Sequence, residues 1–136
     1  MKTCGFSFVL LTFLAFVLLA CGSSSHMLQT VTVTPATADA QNVPSEQVQF
    51  TATGHFNSTP MSVSPLSATW GACFQSAATT AVTVTANGIA ECASGATGTF
   101  TIWAFSSNPS QVNCNAITAC GGGCGRITGT AELTCP

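Results

Sequence analysis

The sequence predicts an all-β domain, a sandwich of about seven short strands, preceded by a helical leader. Three observations carry this prediction. Beyond residue 20 no stretch keeps apolar residues at i, i+3, i+4 and i+7, so helical periodicity is missing. Alternation with period two recurs in its place, rich in Val and Thr. Turn residues punctuate the chain at intervals of roughly eight to twelve residues, the spacing of an antiparallel sandwich. A small β-barrel is the competing way to close the same pattern.

The leader comes first. Met1-Lys2-Thr3 supplies one positive charge, and the chain is then apolar from Phe6 to Ala20. That run falls short of the roughly twenty residues a membrane-spanning helix needs, and it suits the apolar core of an export signal. It ends on Leu18-Leu19-Ala20-Cys21. This tetrapeptide resembles the lipobox of bacterial lipoproteins, in which the thiol receives a diacylglycerol and the chain is cut just before it. The resemblance implies that residues 1–20 are a signal peptide and that Cys21 is the lipidated first residue, carrying fatty acid such as palmitate. A plain signal peptide or an uncleaved anchor is the alternative. Gly22-Ser23-Ser24-Ser25 then reads as an uncharged tether, and the expected organisation is a tether over 21–29 and a sandwich over 30–136. No acidic residue follows Cys21, which by the same resemblance points to the outer membrane of a bacterial cell envelope.

The strands follow in order. TVTVTP (30–35) alternates Val31 and Val33 against Thr and stops at Pro35, as an edge strand does. EQVQFTATG (46–54) places Val48, Phe50 and Ala52 on one face. LSATW (66–70) aligns Leu66, Ala68 and Trp70. AVTVTANGIAEC (81–92) reads as two short strands about Asn87-Gly88, a hairpin signal. GTFTIWAFSS (98–107) is the most apolar strand, and RITGTAELTC (126–135) closes the domain, with Gly129 marking a bulge.

VTVTPATA, VQFTATG, ATW and VTVTANGIAECASGATGTFTIWA, taken in this order, resemble the bacterial immunoglobulin-like group 2 pattern over about Val31 to Ser106. The resemblance implies an immunoglobulin-like sandwich of the kind found in surface proteins and adhesins. The chain departs from the pattern in its cysteines and in a long segment from Ser107 to Gly125.

Charge narrows the functional classes. Only 4% of residues are charged, and past the leader these are Asp39, Glu46, Glu91, Glu132 and Arg126. Nucleic-acid binding needs clustered Lys and Arg, which the chain lacks. Of eight cysteines, Cys4 belongs to the leader and Cys21 to the lipid. The remaining six (Cys73, Cys92, Cys114, Cys120, Cys124 and Cys135) read as three disulfides of an exported chain. A zinc site is the competing reading, but there is no Cys-x2-Cys spacing and only His26 and His55 add imidazole. The immunoglobulin-like pattern implies a bridge between Cys73 and Cys92. The other four cysteines allow three pairings, of which Cys114 with Cys135 and Cys120 with Cys124 is preferred.

No catalytic constellation emerges. His26 falls in the tether and His55 in an exposed loop, and neither comes with the nucleophile and carboxylate of a triad. Asp39 and Glu46 flank a turn, and Glu91 alternates outward. CGGGCG (120–125) lacks the Lys-Ser/Thr ending of a phosphate loop. The expectation is a non-enzymatic protein without cofactor or metal, held to the membrane by lipid at Cys21. One feature points to a partner. If Phe100, Ile102 and Ala104 face inward, Trp103 and Phe105 face outward. They are then either covered by the 107–125 segment or form a docking face for a protein or carbohydrate ligand. A purely structural envelope component and a cysteine-based metal or redox protein are the alternatives.

Overall fold

The structure, a computed structural model, describes residues 25–108, 120 and 127–136. Eleven strands form within these residues: β1 (Leu28–Thr34), β2 (Thr37–Asp39), β3 (Gln47–Gln49), β4 (Thr51–Phe56), β5 (Ser62–Val63), β6 (Ala68–Phe74), β7 (Ala77–Ala78), β8 (Val82–Val84), β9 (Ile89–Cys92), β10 (Gly98–Ser106) and β11 (Thr128–Cys135). No helix among the described residues is long and apolar enough to cross a membrane. The fold is all-β, and the strand count exceeds seven because one expected strand splits in two and three short strands, β2, β5 and β7, form outside the expected segments. Residues 46–54 split at Phe50, whose N–H leaves the ladder to bond the Gly88 carbonyl at 2.8 Å.

Hydrogen bonding orders the strands β1-β4-β5, β3-β9-β8 and β2-β11-β10-β6-β7. Because Phe50 alone separates β3 from β4, the two smaller sheets continue one another along that strand and form one layer. The five-stranded sheet is the other layer. The chain changes layers at Pro35 and Ala36, where proline cannot donate to the β1 ladder. The Ala36 carbonyl instead accepts from Glu132 N–H at 2.9 Å, and β2 then runs parallel to β11. Asp39 ends this excursion by capping a 3-10 turn, Ala40–Asn42, its Oδ1 accepting from Gln41 N–H.

The apolar phases meet between the layers. Val31, Val33, Val48, Phe50 and Ala52 from one layer pack on Phe100, Ile102, Ala104, Ala131 and Leu133 from the other. Phe50, Ile102 and Leu133 are the largest fully buried side chains. Burying each contributes roughly 1.5–3 kcal/mol relative to leaving it in water. Leu66, Ala68 and Trp70 pack at the edge of this core, with Leu66 just ahead of β6.

Three local expectations are corrected. The β8–β9 hairpin forms, but Asn87-Gly88 is not a two-residue turn. Gly88 takes φ +80° while Asn87 keeps a negative φ. Thr85 N–H donates to the Ile89 carbonyl and Gly88 N–H to the Thr85 carbonyl, which is a three-residue loop with glycine last. Gly129 marks no bulge, since β10 and β11 pair without a register shift from Gly98↔Cys135 to Phe105↔Thr128. Gly129 shares a phase with Ala131 and Leu133, and its bareness lets β1 approach: a Cβ there would lie 2.9 Å from Val31 Cγ1. His55 lies inside β4, half-buried and opposite Thr30, rather than in a loop.

Candidate functional site

The cysteines settle into a different pattern from the one expected. Cys73 bonds Cys120 and Cys92 bonds Cys135, with Cα–Cα distances of 5.6 and 5.9 Å, both within the ordinary disulfide range. The expected Cys73–Cys92, Cys114–Cys135 and Cys120–Cys124 pairs are therefore corrected. Side-chain phase is the reason for the first. Cys73 sits on β6 among the side chains that leave the core, whereas Cys92 ends β9 in the other layer and packs on the core. Cys92 instead meets Cys135 at the end of β11, so this bridge ties the two layers together. Of the cysteine cluster read as a metal or redox alternative, Cys120 and Cys135 are held in two different bridges, and a bridged sulfur is not a thiolate ligand. Cys114, Cys124, Cys21, Arg126 and the whole 1–20 leader lie outside the described residues.

Trp103 and Phe105 do leave the core, as their phase requires, but they do not form an open face. They are 8% and 6% exposed, and with Cys73 they make a second apolar cluster against which Cys120 packs. The indole and phenyl rings stack, with centroids 5.2 Å apart and planes within 3°. The indole spreads over Gly71, its partner across β6, where any Cβ would collide with it. Trp103 Nε1 is buried with no hydrogen-bond partner among the described residues. Of the two expectations, a covered pair and an open docking face, the burial fits the first and corrects the second.

Among the described residues the surface offers two clefts that share the Leu66-Ser67 segment. One, of about 510 Å³, is bounded by Gln49, Thr51, Leu66, Ser67, Trp70 and Asn87. Trp70 is half-buried in its wall, held there by the close approach of Gly88. Gln49 Nε2 donates to the Phe50 carbonyl at 2.6 Å and to the Asn87 carbonyl at 2.8 Å, which fixes the amide. The walls are aromatic, amide and hydroxyl groups without a charge. Such a surface suits an uncharged ligand that offers hydroxyls or amides together with an apolar face.

The second cleft, of about 480 Å³, lies where the chain enters the domain and includes His26, Phe56, Leu66, Ser67 and Ser106. His26, expected to be solvated in the tether, is exposed yet held. Its ring stacks on Phe56 at 4.2 Å between centroids, and its Nδ1 lies 3.0 Å from Ser58 Oγ. Met27 N–H donates to Asn57 Oδ1 at 2.8 Å, so the chain is already fixed at the residue before β1. Among the described residues no carboxylate joins the His26–Ser58 pair, and no three metal-ligating groups converge. Glu91 accepts from Gln47 Nε2 at 3.0 Å on the solvent side of β3 and β9. Both clefts escape local sequence reading because their walls come from segments far apart in the chain.

Neither a protein-family model nor a curated protein matches this chain.

Proposed function

We propose that this chain is a bacterial envelope lipoprotein, anchored by acyl chains on Cys21, whose single immunoglobulin-like sandwich acts by binding or adhesion and not by catalysis. The observation that carries the reading is an apolar leader ending Leu18-Leu19-Ala20-Cys21, ahead of a domain stapled by Cys73–Cys120 and Cys92–Cys135. Disulfides persist in oxidising compartments, which is where such a leader delivers a chain. The immunoglobulin-like assignment is supported by strand order. One layer carries β1, β4/β3, β9 and β8 with β5 beside β4, and the other β2, β11, β10, β6 and β7, an order similar to the ABED and GFC sheets of that architecture with short strands added. The uncharged cleft beside Trp70 supports a protein segment or carbohydrate as ligand and disfavours nucleic acid.

Feeding cells an alkyne-tagged fatty acid tests the anchor. The wild-type chain takes up label, and Cys21→Ser abolishes it; label retained by the serine variant contradicts the reading. The burial of Trp103 and Phe105 favours a second reading, a structural envelope component without a discrete ligand.

A further inference from the structure

We propose that the end of the domain carrying Met27 and Met61 rests on the phospholipid bilayer to which Cys21 is anchored. The inference rests on the lipoprotein reading above. Met27 and Met61 are 52% and 69% exposed, two of the three large apolar side chains left open among the described residues. Single exposed apolar residues are ordinary, but these two lie together. Met27 C=O accepts from Asn57 N–H at 3.1 Å and Met61 C=O from Phe56 N–H at 2.8 Å, so they flank consecutive residues at the end of β4. Phe56 and His26 stack beside them.

The anchor reaches this end and no other. His26 is fixed to the domain by Phe56 and Ser58, and it follows Cys21 by five residues. Fully extended, five residues span at most about 18 Å. The headgroup layer on each side of the hydrocarbon core takes up roughly 5–8 Å of that. A domain entered at His26 is therefore held with that point within roughly 10–13 Å of the headgroup surface, and the surface around His26 is the one nearest to it.

Charge is arranged to permit the contact. Asp39, Glu46, Glu91 and Glu132 all lie away from this end. The nearest along the β10–β11 ladder is Glu132, opposite Thr101, four residue pairs from the Phe105↔Thr128 pair that opens β11. At roughly 3.3 Å per residue that separation is about 13 Å. Among the described residues, this end thus presents methionines, hydroxyls and the imidazoles of His26 and His55 without a carboxylate to repel anionic lipid. Flexible thioether chains adapt to an irregular apolar boundary.

The acylated full-length protein, reconstituted into phosphatidylethanolamine–phosphatidylglycerol vesicles carrying a headgroup diazirine phospholipid, tests this directly. After illumination and proteolysis, lipid adducts are expected to concentrate several-fold on the peptides containing Met27 and Met61 over the peptide containing Phe74, an exposed aromatic at the far end of β6. The Met61→Ser variant, still acylated, is expected to lose most of the adduct at its own peptide. Adducts spread evenly, or absent from the Met61 peptide in protein whose mass shows the acyl chains, would overturn the contact and leave the anchor standing. A protein whose mass shows no acyl chains would overturn both. A Met61 peptide without lipid adducts in acylated protein that sediments as a dimer would assign the patch to a second copy and overturn the proposal.

Discussion

Gly71 and Trp103 face each other across β6 and β10, and the indole occupies the space that a side chain at position 71 would need. The outer face of the five-stranded sheet is therefore built around a missing Cβ. Gly71→Ala should destabilise by about 1–3 kcal/mol through overpacking, and Trp103→Ala by about 3–5 kcal/mol through the cavity it leaves. The two costs should not add. With the indole gone, an alanine at 71 fits, so the double variant should be scarcely worse than Trp103→Ala alone in urea unfolding. Equal costs for Gly71→Ala in both backgrounds would place the indole elsewhere.

Trp103 and Trp70 should answer differently to an aqueous quencher. Trp70 lines an open cleft, whereas Trp103 is buried beneath its stack with Phe105. Iodide should therefore quench Trp103→Phe protein, which reports Trp70, more steeply than Trp70→Phe protein, which reports Trp103. The reverse order would mean that the aromatic face is open to solvent.

The two bridges join residues 47 and 43 positions apart. Loops of that length correspond to about 4 kcal/mol each in the chain-entropy description. Replacing Cys92 and Cys135 together by alanine should lower stability by up to that amount, and replacing Cys73 and Cys120 should do likewise. Non-reducing peptide mapping should recover Cys73 with Cys120 and Cys92 with Cys135. A Cys73–Cys92 peptide would contradict the outward phase of Cys73 on β6.

Gly88 and Gly95 separate backbone strain from crowding. Both hold positive φ, +80° and +78°, but a Cβ on Gly95 meets nothing, while one on Gly88 meets the Phe50 carbonyl and the Trp70 ring. Gly95→Ala should cost about 1–2 kcal/mol from the left-handed backbone alone. Gly88→Ala should cost clearly more, and thermal melts of the two variants measure the difference.

The strands were largely legible because period-two alternation acts locally. The phases of Val48-Phe50-Ala52 and Phe100-Ile102-Ala104 each need only their own segment to be read, and both place their residues in the core. What the sequence hid is what depends on the layering of distant strands. The immunoglobulin-like pattern implies a bridge from Cys92 to Cys73, yet Cys73 points away from the core that Cys92 packs on, so that bridge does not form. Trp103 and Phe105 were correctly sent out of the core, but their burial depends on contacts that alternation does not encode. Gly129 resembled an interruption because glycine weakens a strand, whereas its role is to admit Val31 from the opposite layer. The clefts beside Trp70 and His26 draw on several segments each, and no local spacing announces them.

An intact mass of the protein extracted from its own membrane bears most directly on the proposal that a lipid-held, disulfide-stapled sandwich begins at Cys21. We expect a chain starting at Cys21, heavier by its acyl groups and lighter by the hydrogens lost to the Cys73–Cys120 and Cys92–Cys135 bridges. A mass that retains residues 1–20, or that shows free thiols and no fatty acid, would contradict it.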